Sequence, residues 1–187
     1  MYWEQAGQIN TDNTIKIAAA AAQEHGIDHI VIASNTGATV EALLKNDITG
    51  INIVAVTHHY GFSAPGECEM SPAVRTDLIQ KGIQVYTGTH LFAGVNRGIR
   101  NQFGGVYPAE IMAQTLRMFG QGIKVAVEIA VMALDAGLIP YGEDIISIGG
   151  TVKGADSAII IRPAHSNHIF DTTVKEIIAM PKIKKLK

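Results

Sequence analysis

His29-Ile30-Val31-Ile32-Ala33 runs straight into Ser34-Asn35-Thr36-Gly37-Ala38-Thr39, and that into Val40-Glu41-Ala42-Leu43-Leu44-Lys45. The first stretch is short, apolar and β-branched, which predicts a strand from Ile30 to Ser34. The last predicts a helix over about Ala38 to Lys45. Between them lies a turn of small polar residues. A strand, a tight turn and a helix start together aim free backbone N–H groups and the positive end of a helix dipole at one point. Ser34, Thr36 and Thr39 add hydroxyls, and Gly37 permits a positive φ or a close ligand approach. The stretch therefore reads either as a pocket for a phosphate-sized anion or as an ordinary turn with a Ser/Thr cap. No Lys-Ser or Lys-Thr follows Gly37, and no Gly-x-Gly-x-x-Gly occurs, so neither nucleotide fingerprint is present.

Working outward, the same alternation continues. Asn10 to Asn13 supplies cap residues for an Ala-rich helix, Ile15 to His25, stopped at Gly26. Ile51 to Thr57 is a second apolar run, typical of a strand buried on both faces. Pro72 to Gly82 predicts a helix and Ile83 to Thr87 a third strand. Gly88 to Tyr107 shows no clear period and reads as a long binding loop or lid. Pro108 to Phe119 and Ile123 to Ala136 predict two helices, Asp144 to Ile148 and Ser157 to Arg162 two more strands, and Thr172 to Met180 a closing helix. Met1 to Gln8 reads as an irregular lead-in. Lys124 and Glu128, four apart, predict a solvated stripe on an otherwise buried helix, with a buried catalytic Glu128 as the lesser alternative. Strands alternating with helices predict one α/β domain over residues 1–187, with a mostly parallel sheet and helices on both faces.

Bulk properties narrow the function classes. Hydrophobic residues make up 47% and charged residues 17% of 187, which describes a folded chain with a substantial core. A formal net charge of −2 argues against nucleic acid as partner. Lys182, Lys184, Lys185 and Lys187 read as a solvated terminus. The single Cys68 rules out an internal disulfide and suits a reducing cytoplasm, and its neighbours Glu67 and Glu69 disfavour a thiolate nucleophile. No signal peptide or membrane-length apolar run is visible. The high apolar content suggests a buried contact between copies of the chain, as in a homo-oligomer, without setting the oligomeric state.

The turn Ser34 to Thr39, the following Ile53-Val54-Ala55-Val56-Thr57, and the ordered segments Gly104-Gly105, Phe119-Gly120-Gln121-Gly122-Ile123-Lys124-Val125, Met132 to Gly137 and Gly154-Ala155-Asp156-Ser157-Ala158 resemble the C-terminal α/β domain of pyruvate kinases. They resemble its small stand-alone archaeal and bacterial relatives more closely still. In regulated pyruvate kinases the equivalent turn holds a phosphate of a sugar bisphosphate. The resemblance implies a three-layer α/β/α sandwich whose five strands run in the order 3-2-1-4-5 with strand five antiparallel. It also implies FMN as cofactor, since such stand-alone relatives are found with FMN. It does not extend to the catalytic barrel, so phosphoenolpyruvate chemistry is not carried over.

In that order strands one and four are neighbours whose connections leave in opposite directions, which opens a crevice at their C-terminal ends. The resemblance then gives a flavin site. The backbone and hydroxyls of Ser34, Asn35, Thr36, Gly37, Ala38 and Thr39 would cradle the phosphate. Phe62 or Tyr60, in the loop with Gly61, would supply an aromatic surface. Thr57, His58 and the Gly149, Gly150, Thr151 backbone would meet the ring edge. The expected function is FMN binding, with a flavin-dependent oxidoreductase as its enzymatic form. A non-enzymatic sensor or carrier of a phosphorylated metabolite is the alternative. A metal-dependent hydrolase using His58, His59 and His90 is the third reading, and the absence of His-x-His or His-Glu-x-x-His spacing weighs against it. His165 and His168 read as loop decoration. Arg97 and Arg100 are loop arginines left outside the expected site.

Overall fold

The computed structural model describes residues 1–183. Its framework is one seven-stranded sheet. The chain runs β1 (Tyr2–Gln5), α1 (Thr11–His25), β2 (His29–Ala33), α2 (Ala38–Leu43), β3 (Asn52–Thr57), α3 (Pro72–Gln80) and β4 (Gln84–Thr87). It continues through α4 (Gly94–Phe103), α5 (Pro108–Leu116), α6 (Gln121–Asp135), β5 (Ile145–Gly149), β6 (Ser157–Arg162) and β7 (Thr173–Ile183). The strand order is β1-β7-β6-β5-β2-β3-β4. β5, β2, β3 and β4 are mutually parallel, and β6 is antiparallel to both β5 and β7.

The expected five-stranded sheet is corrected here to seven strands in this longer order. β1 and β7 pair in parallel, Tyr2 opposite Met180 and Trp3 opposite Pro181, and extend the sheet beyond β6. The closing segment expected as a helix is the eleven-residue strand β7. The lead-in expected to be irregular contains β1. The segment expected as a long loop contains the ten-residue helix α4. Lys184, Lys185 and Lys187 lie outside the described residues. Among the described residues no helix is long and apolar enough to cross a membrane.

Side-chain alternation explains the layering. In β2, Ile30 and Ile32 face one side and Val31 the other, and all three are fully buried. Ile30 and Ile32 join Ile15 and Ala18 of α1, Val40 and Leu43 of α2, and Leu78 of α3. Val31 joins Ala126 and Ala130 of α6 and Ile145 and Ile159 of the sheet. The central strands are thus apolar on both faces, as a covered parallel sheet requires. Each fully buried isoleucine contributes about 1.5–3 kcal/mol. Ser71 caps α3, accepting from the Val74 N–H at 3.3 Å, with Pro72 in the first turn. Helix α6 is tied to the sheet by the buried Ser147 hydroxyl, which donates to the Ala126 carbonyl at 2.7 Å.

Candidate functional site

β2 and β5 are adjacent and parallel. The chain leaving β2 enters α2 on one face of the sheet, while α6 covers the other face. The crevice this opens is bordered by the turns after β2 and β5 and reached by the loops after β3 and β4.

The turn after β2 is held by the Ser34 N–H, which donates to the Val56 carbonyl at 2.9 Å. Gly37 caps α2 with φ 92°, a left-handed conformation, and no side chain caps the first turn of that helix. A Cβ at Gly37 would sit 2.6 Å from Cγ1 of Val74, so packing against α3 also demands glycine there. Thr36 and Ala38 are exposed, whereas Thr39 is buried. The Ser34 hydroxyl is buried without a partner, and so is that of Thr151 after β5. Glu41, which the first turn of α2 would otherwise set against an anion, is drawn to Lys81 at 2.9 Å.

Asn35 links this turn to the loop after β3. Its Oδ1 accepts from the His58 backbone N–H at 3.1 Å, which fixes the amide's orientation. Its Nδ2 therefore faces the His58 Nε2, also at 3.1 Å, and donates to it. The His58 Nδ1–H is left to donate to Glu69 at 2.5 Å. Phe62 stacks on the His58 ring at 3.6 Å between centroids. The His90 ring lies 5.3 Å from both His58 and His59 and 5.6 Å from Phe62. Tyr60 is exposed and makes no part of this stack. The Thr57 hydroxyl is engaged inside the sheet, 2.6 Å from Oγ1 of Thr87 and donating to the His58 carbonyl at 2.8 Å. Gly61 closes its own loop, its N–H donating to the Glu67 carbonyl at 2.9 Å.

On the other side of the crevice, a Cβ on Gly149 would lie 2.2 Å from the Gly122 carbonyl oxygen, and one on Gly150 would lie 2.0 Å from that of Gly154. Both glycines are required by backbone contact. Val152, at the tip of the same turn, is exposed and has φ 65°. A β-branched residue in that region stores of order 1–3 kcal/mol of strain, of the kind that clusters at ligand-binding turns.

The expected solvated stripe on α6 is corrected by the structure. Lys124 and Glu128 are 6% and 4% exposed and form a buried ion pair. The other carboxylate oxygen of Glu128 accepts from the Phe92 N–H at 3.0 Å. Lys124 Nζ sits 5.5 Å from the centroid of the Phe92 ring. The loop after β4 folds over α6 and covers the charges, so a helical stripe that reads as solvated is roofed. Burial pushes the Lys124 ammonium down from the usual lysine value, with Glu128 opposing and Arg117 and Arg97 adding to the shift. His90 is pushed down to about 4, chiefly by burial, with Glu128 acting against this and His58, His59 and Lys124 adding to it.

The His90 shift makes a measurable prediction. Its folded value of about 4 lies below the ordinary 6.5, so the unfolded chain takes up the proton first as pH falls. This contribution to stability is fully present above about pH 6.5 and is lost progressively toward pH 4. Allowing for solvent screening of a partly exposed ring, the loss is roughly 2 kcal/mol. Urea titrations at pH 7 and pH 4.5 should show it, and His90→Phe should flatten that part of the profile. An unchanged slope in His90→Phe would refute it.

Sequence reasoning left out Phe92, Glu69 and Val152, and gave Lys124 and Glu128 as a solvated stripe with a buried catalytic Glu128 only as the lesser alternative. Only the isolated charge pair in an apolar helix signalled any of them. Arg100 pairs with Glu110, and Arg97 is exposed on α4. Among the described residues no three His, Cys, Asp or Glu side chains are grouped to hold a metal ion. Two cavities, of about 480 and 270 Å³, open elsewhere. The larger is bordered by Asp28, Asp144 and Arg162 at the N-terminal edge of β2 and β5, the smaller by Tyr141, His165 and His168. Neither includes a residue of the crevice.

The family model for the pyruvate kinase alpha/beta domain matches residues 12–161. Among solved structures, a pyruvate kinase from Cryptosporidium parvum is 18% identical over 81% of this chain, with a TM-score of 0.42. A second structure of that organism's pyruvate kinase, in complex with ADP, is 16% identical over 80%, with a TM-score of 0.39. The matches cover 22% of each of those longer chains. The matched residues take in β2 to β6 and leave β1 and β7 outside. By this match the chain belongs to the pyruvate kinase α/β domain family.

Proposed function

We propose that the crevice binds FMN, with the phosphate at the Ser34–Thr39 turn and the flavin ring beside His58, Phe62 and His90. The observation that carries this reading is that two of the three buried hydroxyls without partners among the described residues, Ser34 and Thr151, lie on either side of the crevice, the third being Thr14 of α1. A buried polar group left unsatisfied costs about 1–3 kcal/mol, and a ligand that pairs with it removes that cost. The uncapped first turn of α2 supplies further donors, and Glu41 is turned to Lys81. The stacked His58 and Phe62 rings offer a flat surface of the kind a flavin needs. When bound, FMN supplies reversible two-electron redox chemistry.

The phosphate is the discriminating group. Hydrogen bonds to a charged group contribute roughly 1.5–3 kcal/mol each, so two net bonds give about 3 kcal/mol, on the order of a hundredfold in affinity. FMN should therefore bind about a hundredfold more tightly than riboflavin. Ser34→Ala should weaken FMN binding about tenfold while leaving the free protein as stable or more so, since the lost hydroxyl has no partner there. Fluorescence titration with both flavins and a thermal melt of the free variant check this. Equal affinity for the two flavins would remove the turn from the site. A colourless protein that instead binds a sugar phosphate at the same turn would favour the sensor reading. Oxidation of NADH or NADPH by the flavin-loaded protein separates an oxidoreductase from a carrier.

A further inference from the structure

Helix α4 carries an apolar stripe that the described residues leave largely uncovered. Val95, Ile99 and Phe103 recur at four-residue intervals and so share one face. Val95 and Phe103 are 76% and 78% exposed, and α4 buries none of its residues. A helix of ten residues is marginal in water by itself, and Gly94 and Gly98 weaken this one by about 1 kcal/mol each. Its stability therefore calls for a surface against the stripe. Val106 beyond the helix, Ile111 of α5 and Met118 just after α5 are exposed as well. The Arg100–Glu110 pair ties α4 to α5, so both sets belong to one region. At about 150–200 Å² for a fully exposed side chain of this size, these residues leave on the order of 600 Å² of apolar surface in water. The largest apolar patch of a typical monomer is about 300–600 Å².

We propose that this face is the contact between two copies of the chain, with α4 of one copy crossing α4 of the other at Ile99 about a twofold axis. The contact is independent of what the crevice binds. A standard interface takes about 800 Å² from each partner, somewhat over half of it apolar, so the uncovered surface meets the need of one such contact. A stripe at every fourth residue is a ridge that interdigitates with a second ridge of the same kind, and two such helices cross at about −50°. Charge selects the occupant. At 3.6 residues per turn, Asn96 and Gln102 fall at the two edges of the stripe and Arg97 falls behind it. Arg100 is turned to Glu110 at 2.5 Å. A helix that lies on a lipid surface carries a face rich in Lys and Arg beside its apolar one, whereas the edges here are neutral amides. An amide both donates and accepts, so the same edge on a second copy pairs with it, and no like charges meet at the axis.

The experiment is equilibrium sedimentation of the full chain over a range of concentrations, beside Ile99→Glu, Ile99→Lys and Phe103→Ser. The unaltered chain should sediment as a dimer at micromolar concentrations. Each Ile99 variant sets two like charges against each other at the axis and should weaken association by about a hundredfold or more. An equimolar mixture of the two sets Glu against Lys and should restore the dimer, which a variant that had failed to fold could not do. Phe103→Ser, at an exposed position, should weaken the dimer by about tenfold without a change of charge. A dimer that Ile99→Glu and Phe103→Ser both leave intact would place the contact elsewhere and overturn the proposal. So would a mixture no more associated than its components. A monomeric unaltered chain at those concentrations would overturn it too. Co-sedimentation with anionic vesicles, and tryptic cleavage after Arg97 with and without FMN, would then tell a lipid-facing helix from a lid over the crevice.

Discussion

Lys124→Met alone is expected to be the most damaging conservative change at the site, destabilising the free protein by roughly 3–5 kcal/mol. The methionine fills nearly the same volume, so the loss comes from charge. Glu128 keeps the Phe92 N–H as donor but loses its counter-ion in a place with 4% exposure. For a chain of this size the loss corresponds to a fall in melting temperature on the order of 10 °C. K124M/E128Q should recover most of it, since it strands no charge. Melts of the single and double variants at pH 7 decide the matter. Equal losses in both would mean that the stem of Lys124, packed by the Phe92 ring, matters more than its charge.

Gly149→Ala should be nearly as costly, for a steric reason. Its new Cβ would lie 2.2 Å from the Gly122 carbonyl oxygen and 2.9 Å from the Ala126 nitrogen. Both are backbone atoms of α6, so no rotamer relieves the clash and the helix must lift from β5. Overpacking a tight core costs about 1–3 kcal/mol, and a backbone-on-backbone clash belongs at or above the upper end. Gly122→Ala offers the contrast. Its Cβ would meet Oγ of Ser157 and Oδ1 of Asp156 at 2.3 and 2.4 Å, which side-chain rotation can relieve, and the Ser157 Cβ at 2.7 Å, which must be relieved by a smaller backbone shift. The expected order of stability is unaltered protein, Gly122→Ala, then Gly149→Ala, as read from urea midpoints. Gly149→Ala should also weaken the FMN binding proposed above, because the turn after β5 borders the crevice. The reverse order would mean that α6 tolerates displacement more easily than the buried Asp156 does.

The central strands and most helices were legible because each carries a strong local pattern. Ile30 to Ala33 is apolar throughout because both faces of the strand are covered, and Pro72 and Gly26 mark helix ends. The errors have physical causes. Val174, Ile177 and Ile178 fall at helical spacing, but the pairing of β7 with β6 shifts register twice, and those shifts disturb the period-two signature of a strand. Gly94 and Gly98 lower helix propensity in α4, so a helix that buries none of its residues left no signal strong enough to name it. β1 is only four residues long, and its partner lies at the far end of the chain. At the site, the stack of His58, Phe62 and His90 depends on contacts between two loops, which no periodicity encodes. Lys124 and Glu128 were read as solvated because an i,i+4 pair has the same spacing on a wet helix face as on a dry one. What distinguishes the two is the Phe92 loop, which closes over the pair from elsewhere in the chain.

The pairing of β1 with β7 also has a consequence in time. Tyr2 to Gln5 are made well before their hydrogen-bonding partners, which lie between Met180 and Ile183. Gly7 likewise donates to Asp156, 149 residues further on. This margin of the sheet closes only once β7 has been made, and contacts so distant in sequence are the slow ones to form. Until then the nascent N-terminal segment carries Tyr2 and Trp3 without the strand that will hold them. Emergence of β7, rather than folding of the central strands, sets the moment at which this edge is sealed.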